Sequence, residues 1–329
     1  MKVLVYGALR DEYPLYDEAA QKLGFAFDFA PQPLTLDTVA ATRGYEGLII
    51  VTRCHITPPI AAALAQNGVR YVTTRSTGTD HMDLRALHHN GILAANVPFY
   101  APAAIAEHTI LLALAVLRHA KRESALLDAG DFSLSGLKGR QLGSLTAGVL
   151  GTGRIGRETV RLLHGFGCTV LASDPHPSEE VAARAAYLPR KELIAGSDIV
   201  FLHCPLNNAS RHVIDDKALS TMRPGSYLIN TARGGLVDAG AVLAALETGR
   251  LAGFGFDVYE NETAYLRKKV LPSGLQDTVL TSLLRRQDAY YTAHMAFYTD
   301  EAVEAMIRTS IQNLMDYALT GTCENEVRT

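Results

Sequence analysis

Short apolar runs recur along this chain, spaced so that a helix fits between one and the next. Val3–Tyr6, Leu48–Val51, Tyr71–Thr73 and Ile92–Ala95 form a first series, and Ala147–Leu150, Val170–Ala172, Ile199–His203, Tyr227–Asn230 and Phe254–Val258 a second. Between them lie helix signals. Thr57-Pro58-Pro59 opens a helix that Asn67-Gly68 ends, and Asn90-Gly91 closes another. Strands that alternate with helices predict an α/β protein with parallel sheets. A long apolar helix over Pro102–Ala120 separates the two series, and a last helix spans roughly Asp300–Tyr317. If that last helix crosses back to the first series, the chain forms two α/β units, one of them discontinuous. The expected boundaries are 1–98 plus 297–329 for the discontinuous unit and 99–296 for the inserted one.

The second series opens on a specific signal. Val149–Gly156 reads V-L-G-T-G-R-I-G, and Asp174 follows the last glycine by eighteen positions. In such a fingerprint Gly151 permits a tight turn, and Gly153 lets a pyrophosphate approach the backbone. Gly156 lets the next helix pack closely, with its positive N-terminus toward the phosphates, so Arg154 and Ile155 border the same site. A carboxylate at Asp174 would accept hydrogen bonds from a ribose and repel a 2′-phosphate, which favours NAD over NADP. A glycine-rich turn with a capping aspartate is the alternative reading.

Composition narrows the class. The chain has 329 residues, 48% of them hydrophobic and 20% charged, which suits a soluble globular enzyme with two cores. A net charge of −3 offers no electrostatic footprint for nucleic acid or an anionic membrane. The greasiest stretch, Thr109–Leu117, is nine residues long and cannot span a bilayer. Cys54, Cys168, Cys204 and Cys323 are scattered, so reduced thiols and a cytoplasmic setting are expected, with no metal site of the alcohol dehydrogenase kind.

Three later segments hold candidate chemistry. Asn230–Asp238, N-T-A-R-G-G-L-V-D, puts Arg233 on a loop at a strand's carboxyl edge, where open α/β sheets bind ligands. Its planar fork suits a carboxylate and an adjacent carbonyl, although a surface arginine in a turn would look the same. Gly255–Glu262 puts acids after the next strand. Tyr290–Tyr298 puts His294 at a strand end, where it could trade a proton or simply pack.

Taken together, these stretches resemble the D-isomer-specific 2-hydroxyacid dehydrogenases over essentially the whole length. Thr74–Asp83, Asn96–Pro102, the fingerprint, the Arg233 and Glu262 segments and His294 match in order. The resemblance implies two Rossmann-like domains around a cleft, a homodimer formed through the cofactor domain, and NAD as cofactor. It implies that Arg233 grips the substrate carboxylate and carbonyl, that His294 is the general acid, and that Glu262 pairs with it. Asp257 would lie beside the nicotinamide, His203-Cys204-Pro205 against the adenosine, and Thr231 and Ala232 on the cofactor. Ser76, Thr77 and Gly78 would hold the substrate carboxylate, with Tyr100 and Phe297 lining the pocket. Family members usually have proline before the histidine, where this chain has Ala293, and a branched, apolar strand before that, where this chain has the polar stretch Arg285–Tyr291.

The finer motifs resemble the D-lactate dehydrogenase branch, including the glycopeptide-resistance type. The expected reaction is hydride transfer between NADH and a small 2-oxo acid, with pyruvate to D-lactate as the leading case. A branched-chain or phenylpyruvate-like substrate is the alternative, and so is a non-enzymatic, NAD-sensing corepressor.

Overall fold

The computed structural model describes residues 1–328 except 267, 272 and 273. In chain order the first elements are β1 (Lys2–Tyr6), α1 (Tyr13–Leu23), β2 (Ala26–Ala30), β3 (Gly47–Ile50), α2 (Pro58–Gln66), β4 (Tyr71–Thr74), α3 (Leu84–His89) and β5 (Leu93–Ala95). There follow α4 (Pro102–Leu117), α5 (Ala120–Asp128), β6 (Thr146–Leu150), α6 (Arg154–Gly165), β7 (Thr169–Ser173), α7 (Glu179–Ala182), β8 (Ala186–Tyr187) and α8 (Arg190–Gly196). The chain ends with β9 (Ile199–Leu202), α9 (Asp216–Thr221), β10 (Ser226–Asn230), α10 (Ala239–Glu247), β11 (Leu251–Phe256), α11 (Thr278–Arg285), β12 (Ala289–Tyr291) and α12 (Asp300–Thr320).

The chain divides into two compact units, residues 1–101 with 298–329 and residues 102–297. The first holds a five-stranded parallel sheet in the order β2-β1-β3-β4-β5. Both its faces are buried, which is why its strands read as unbroken apolar runs. Val3, Val5 and Ile49 pack on one side with Ile307 and Leu314 of α12, and Leu4, Leu48 and Ile50 pack on the other with Leu64 and Leu87. Helix α12 is fastened by polar contacts too. Asn313 Nδ2 donates to the Asn96 carbonyl at 2.8 Å and Tyr317 OH to the Ala94 carbonyl at 2.9 Å. Beyond it, Val327 N donates to Ala94 O, and the C-terminal segment lies along β5.

The second unit holds a seven-stranded parallel sheet, β12-β11-β10-β9-β6-β7-β8. Side chains alternate between two cores along each strand: Ile199 and Phe201 enter one, Val200 and Leu202 the other. The order reverses between β6 and β9, and that switch point is where such sheets bind ligands.

Two expectations need correcting. The helix over Pro102–Ala120 stops at Leu117, where the returning chain docks: Arg140 N donates to Leu117 O, and a Cβ on Gly139 would lie 2.3 Å from that oxygen. His119 then adopts φ 55°, and α5 leaves at 60° to α4. The polar stretch before His294 is not one strand. Arg285 closes α11, and only Ala289–Tyr291 pair with β11. Strands β2 and β8 were not anticipated, since β2 is half exposed and β8 is two residues long. Among the described residues no single helix is long and apolar enough to cross a membrane; α4 and α5 together meet that test in length and composition only.

Candidate active site

At the carboxyl ends of β6, β7 and β9 the fingerprint has the geometry that a dinucleotide requires. Gly151 has φ 95°, and a Cβ on it would lie 2.5 Å from the Cys204 amide nitrogen. Gly156 is as tightly confined, its Cβ position 2.0 Å from Gly151 O. Gly153 is the opposite case: a Cβ there meets nothing within 4 Å, so the backbone before α6 faces open space where a pyrophosphate would approach. Asp174 Oδ2 accepts from Thr152 N at 2.7 Å and Oδ1 from His176 N at 2.8 Å, which fixes the carboxylate while leaving lone pairs for a ribose. His203 Nε2 meets Thr159 Oγ1 at 2.9 Å, and desolvation pushes that imidazole down to about 3, so it is neutral near pH 7. Cys204 and Pro205 follow it along the same edge.

The carboxyl ends of β10, β11 and β12 hold the other candidates. Strand β10 ends at Asn230, a buried residue whose amide ties the next turn together. Its Nδ2 donates to Arg233 O at 2.9 Å, and its Oδ1 accepts from Ala232 N at 3.1 Å. Thr231 is pinned to α4 through Thr109, hydroxyl to hydroxyl at 2.7 Å. Arg233 is therefore an exposed side chain on a fixed turn. A Cβ on Gly234 would lie 2.1 Å from the Tyr259 carbonyl carbon, so this glycine lets the Arg233 turn lie directly on the loop after β11.

That loop sorts its acids by their neighbours. Glu260 is taken by Arg211 and by His212, whose Nε2 is 3.0 Å away. Glu262 accepts from Tyr259 N at Oε2 and meets His294 Nδ1 at 2.6 Å with Oε1. Phe297 stands edge-on to the imidazole, ring centroids 6.4 Å apart.

His294 has φ 50°, a left-handed conformation that a non-glycine residue holds only when its surroundings impose it. Asp257 imposes it. Its carbonyl accepts from His294 N at 2.7 Å, and its carboxylate accepts from Thr292 Oγ1, Met295 N and Ala296 N at 2.6–2.9 Å. Thr292 Oγ1 also meets His108 Nε2 at 2.8 Å. Because the threonine hydrogen goes to Asp257, the imidazole is the donor. Burial lowers the His108 pKa against the pull of Asp257. The carboxylate expected beside a nicotinamide is thus 1% exposed and turned into the protein, anchoring the histidine loop. Ala293 therefore sits in a loop that Asp257 holds at four points.

Sequence reasoning missed Asn230, Thr292 and His108 as parts of this site. Asn230 stood in a motif already singled out, whereas nothing local links residue 108 to residue 292. In the first unit, Ser76 Oγ donates to Gly78 O at 2.8 Å, and Thr77 Oγ1 to Val97 O at 3.0 Å, so the 76–78 turn is rigid. Tyr100 lies close by in sequence and is half-buried.

Residues 110–296 match the family described as D-isomer specific 2-hydroxyacid dehydrogenase, NAD binding domain. The chain is 36% identical to a D-2-hydroxyacid dehydrogenase (NAD+) of Lacticaseibacillus paracasei over 99% of its own length and 98% of the relative's. It is 32% identical to an aromatic 2-oxoacid reductase of Clostridium sporogenes, with 99% of each chain covered. Its structure is similar to that of the apo D-lactate dehydrogenase from Escherichia coli, with a TM-score of 0.90, 33% identity and all of both chains covered. The chain belongs to the D-isomer-specific 2-hydroxyacid dehydrogenases. It is an NAD-dependent oxidoreductase with two Rossmann-like units, and it acts on a small 2-hydroxy or 2-oxo acid.

Proposed function

We propose that this enzyme reduces a small 2-oxo acid to the D-2-hydroxy acid, with pyruvate to D-lactate as its simplest case. The observation that supports this most is the 2.6 Å contact between Glu262 and His294 Nδ1. The carboxylate on Nδ1 fixes the orientation of the ring, and Nε2–H would protonate a carbonyl oxygen as it becomes an alkoxide. Arg233 would hold the substrate carboxylate and polarise the carbonyl, a charge-stabilising contribution of about 3 kcal/mol in comparable sites. Bound NADH supplies the hydride. Gly153 and the start of α6 would hold its pyrophosphate and Asp174 its ribose, with His203, Cys204 and Pro205 along the adenosine. In the first unit, the 76–78 turn, through its backbone N–H groups, and Tyr100 would be substrate-binding residues; in the second, Phe297 would be another. Asp257 acts as a positioning residue for the loop of His294.

A larger, aromatic side chain on the substrate is the second reading, favoured by the name of the Clostridium sporogenes relative and by Phe99, which is half exposed. We also propose a cytoplasmic homodimer joined through the second unit, where Leu111, Leu127, Phe132, Leu134 and Phe166 leave apolar surface exposed. Light scattering on the purified chain would return a monomer mass if this is wrong. The central test is NADH oxidation with pyruvate, 2-oxoisocaproate and phenylpyruvate, with the product's chirality determined. Formation of the L-enantiomer, or no turnover with any of them, would refute the reading.

A further inference from the structure

The sheet of the first unit has its own switch point. In the order β2-β1-β3-β4-β5 the direction of winding reverses between β1 and β3, so a crevice opens at their carboxyl ends. Gly7 and Arg53 are the residues there. Gly7 has φ 73°, and a Cβ on it would lie 2.7 Å from Val51 Cγ2 and 3.4 Å from Arg53 Nη2. The guanidinium therefore lies against the β1 turn, where Gly7 is required by its positive φ and by the close approach of Val51.

Arg53 differs from the other arginine of this edge. Arg75 is buried and forms a two-pronged pair with Glu12, Nη1 to Oε2 at 2.7 Å and Nη2 to Oε1 at 2.8 Å, so its charge is neutralised inside the protein. Arg53 is exposed, and among the described residues no carboxylate lies within ion-pair distance of it. Strands β3 and β4 are neighbours, and Arg75 N donates to Ile50 O at 2.9 Å, so the chain after β3 and the 76–78 turn share one edge. The turn that could hold one carboxylate and the guanidinium whose fork matches a second thus follow neighbouring strands at one carboxyl edge of the sheet.

We propose that Arg53 is a specificity-determining residue and that the preferred substrates are dicarboxylic 2-oxo acids of four or five carbons. The distal carboxylate meets Arg53, and the carboxylate next to the carbonyl meets the 76–78 turn. This rests on the 2-oxo acid reductase reading and adds the substrate's far end to it.

The test pairs each dianion with a monoanionic partner of equal carbon number, lacking only the distal carboxylate: oxaloacetate with 2-oxobutyrate, and 2-oxoglutarate with 2-oxopentanoate. NADH oxidation gives kcat/KM for each in the wild type, Arg53→Gln and Arg53→Lys. For at least one pair the wild-type dianion-to-monoanion ratio should be roughly tenfold or more, the scale of one charge-assisted hydrogen bond. Arg53→Gln should bring that ratio to about one, and Arg53→Lys should keep part of it. Taking ratios within each variant cancels any loss of folded enzyme. A wild-type ratio at or below one, or the same ratio in Arg53→Gln, overturns the inference while leaving monocarboxylate reduction intact. If no 2-oxo acid, pyruvate included, is reduced, the reductase reading falls and this inference falls with it.

Discussion

The seven-stranded sheet carries two functional edges built in different ways. Around β6, β7 and β9 the residues proposed to hold the cofactor, from Gly151 to Asp174, lie within one strand–helix–strand stretch, and backbone geometry shapes it: a left-handed glycine, an open glycine and a helix start. Around β10, β11 and β12 the chemical groups come from three separate loops, Arg233, Glu262 and His294, and side chains hold them together. A phosphate cradle can be made by neighbours in sequence because it needs only N–H groups and space. A polarised proton donor needs partners that converge from distant positions, so it depends on a buried anchor. Here Asp257 is that anchor.

Breaking the side-chain edge should cost most. His294→Ala is expected to lower kcat by about 10²–10⁴, the range for a general acid, while NADH affinity measured by fluorescence titration is kept. Near-normal turnover would remove the proposed acid. Arg233→Ala should lower kcat/KM by about 10²–10³ through both constants, with Arg233→Lys only a partial rescue because an ammonium lacks the planar fork. Unchanged kinetics in the alanine variant would place Arg233 outside the site.

Asp257→Asn tests the anchor itself. Its amide nitrogen would face a donor, leaving at least one of Thr292, Met295 or Ala296 unmatched in a buried site. We expect a loss of about 1–3 kcal/mol of stability in urea unfolding, with turnover reduced more than NADH binding. Loss of NADH binding with turnover per bound cofactor unchanged would show that Asp257 serves the cofactor instead.

The cofactor edge should yield smaller effects. Asp174→Ala should shift the NADPH-to-NADH ratio of kcat/KM by about tenfold toward NADPH, the worth of one charge contact. A fixed ratio would argue against the ribose contact. Smallest is a pH effect on stability. His203 in the second unit and His81 in the first are pushed down to about 3 and about 4, both mainly by burial. Their folded pKa lies below the unfolded value of 6.5, so the unfolded chain binds the extra protons. Stability is therefore full above pH 6.5 and falls as the pH drops toward 4 and then 3. The Tm should decline by a few degrees between pH 7 and pH 5, and His203→Gln should flatten part of that slope. An equal slope in the variant would show that His203 does not titrate this way.

Legibility followed the same division. The fingerprint, its acidic partner, the strand series and the return helix were all readable, because each is a local pattern of glycines, apolar runs and caps. Arg233, Glu262 and His294 could be nominated from residue type and strand position, but the pairing of Glu262, and not Glu260, with His294 came from the family resemblance and not from local spacing. That choice is made by Arg211 and His212, about fifty positions away, which occupy Glu260. The break at His119 was hidden for a similar reason, since an apolar run shows where a helix can continue but not where another segment docks on its end.

By itself, then, the chain's order of residues settled the parallel α/β architecture and the dinucleotide cradle, since both follow from interactions among near neighbours. Only the folded protein decided that Asp257 faces inward, that His108 and Thr292 support it, and that Arg53 stands uncompensated while Arg75 is neutralised. Those outcomes depend on the register of parallel strands and on which loops share an edge. That information is held in packing between distant segments, where no local spacing records it.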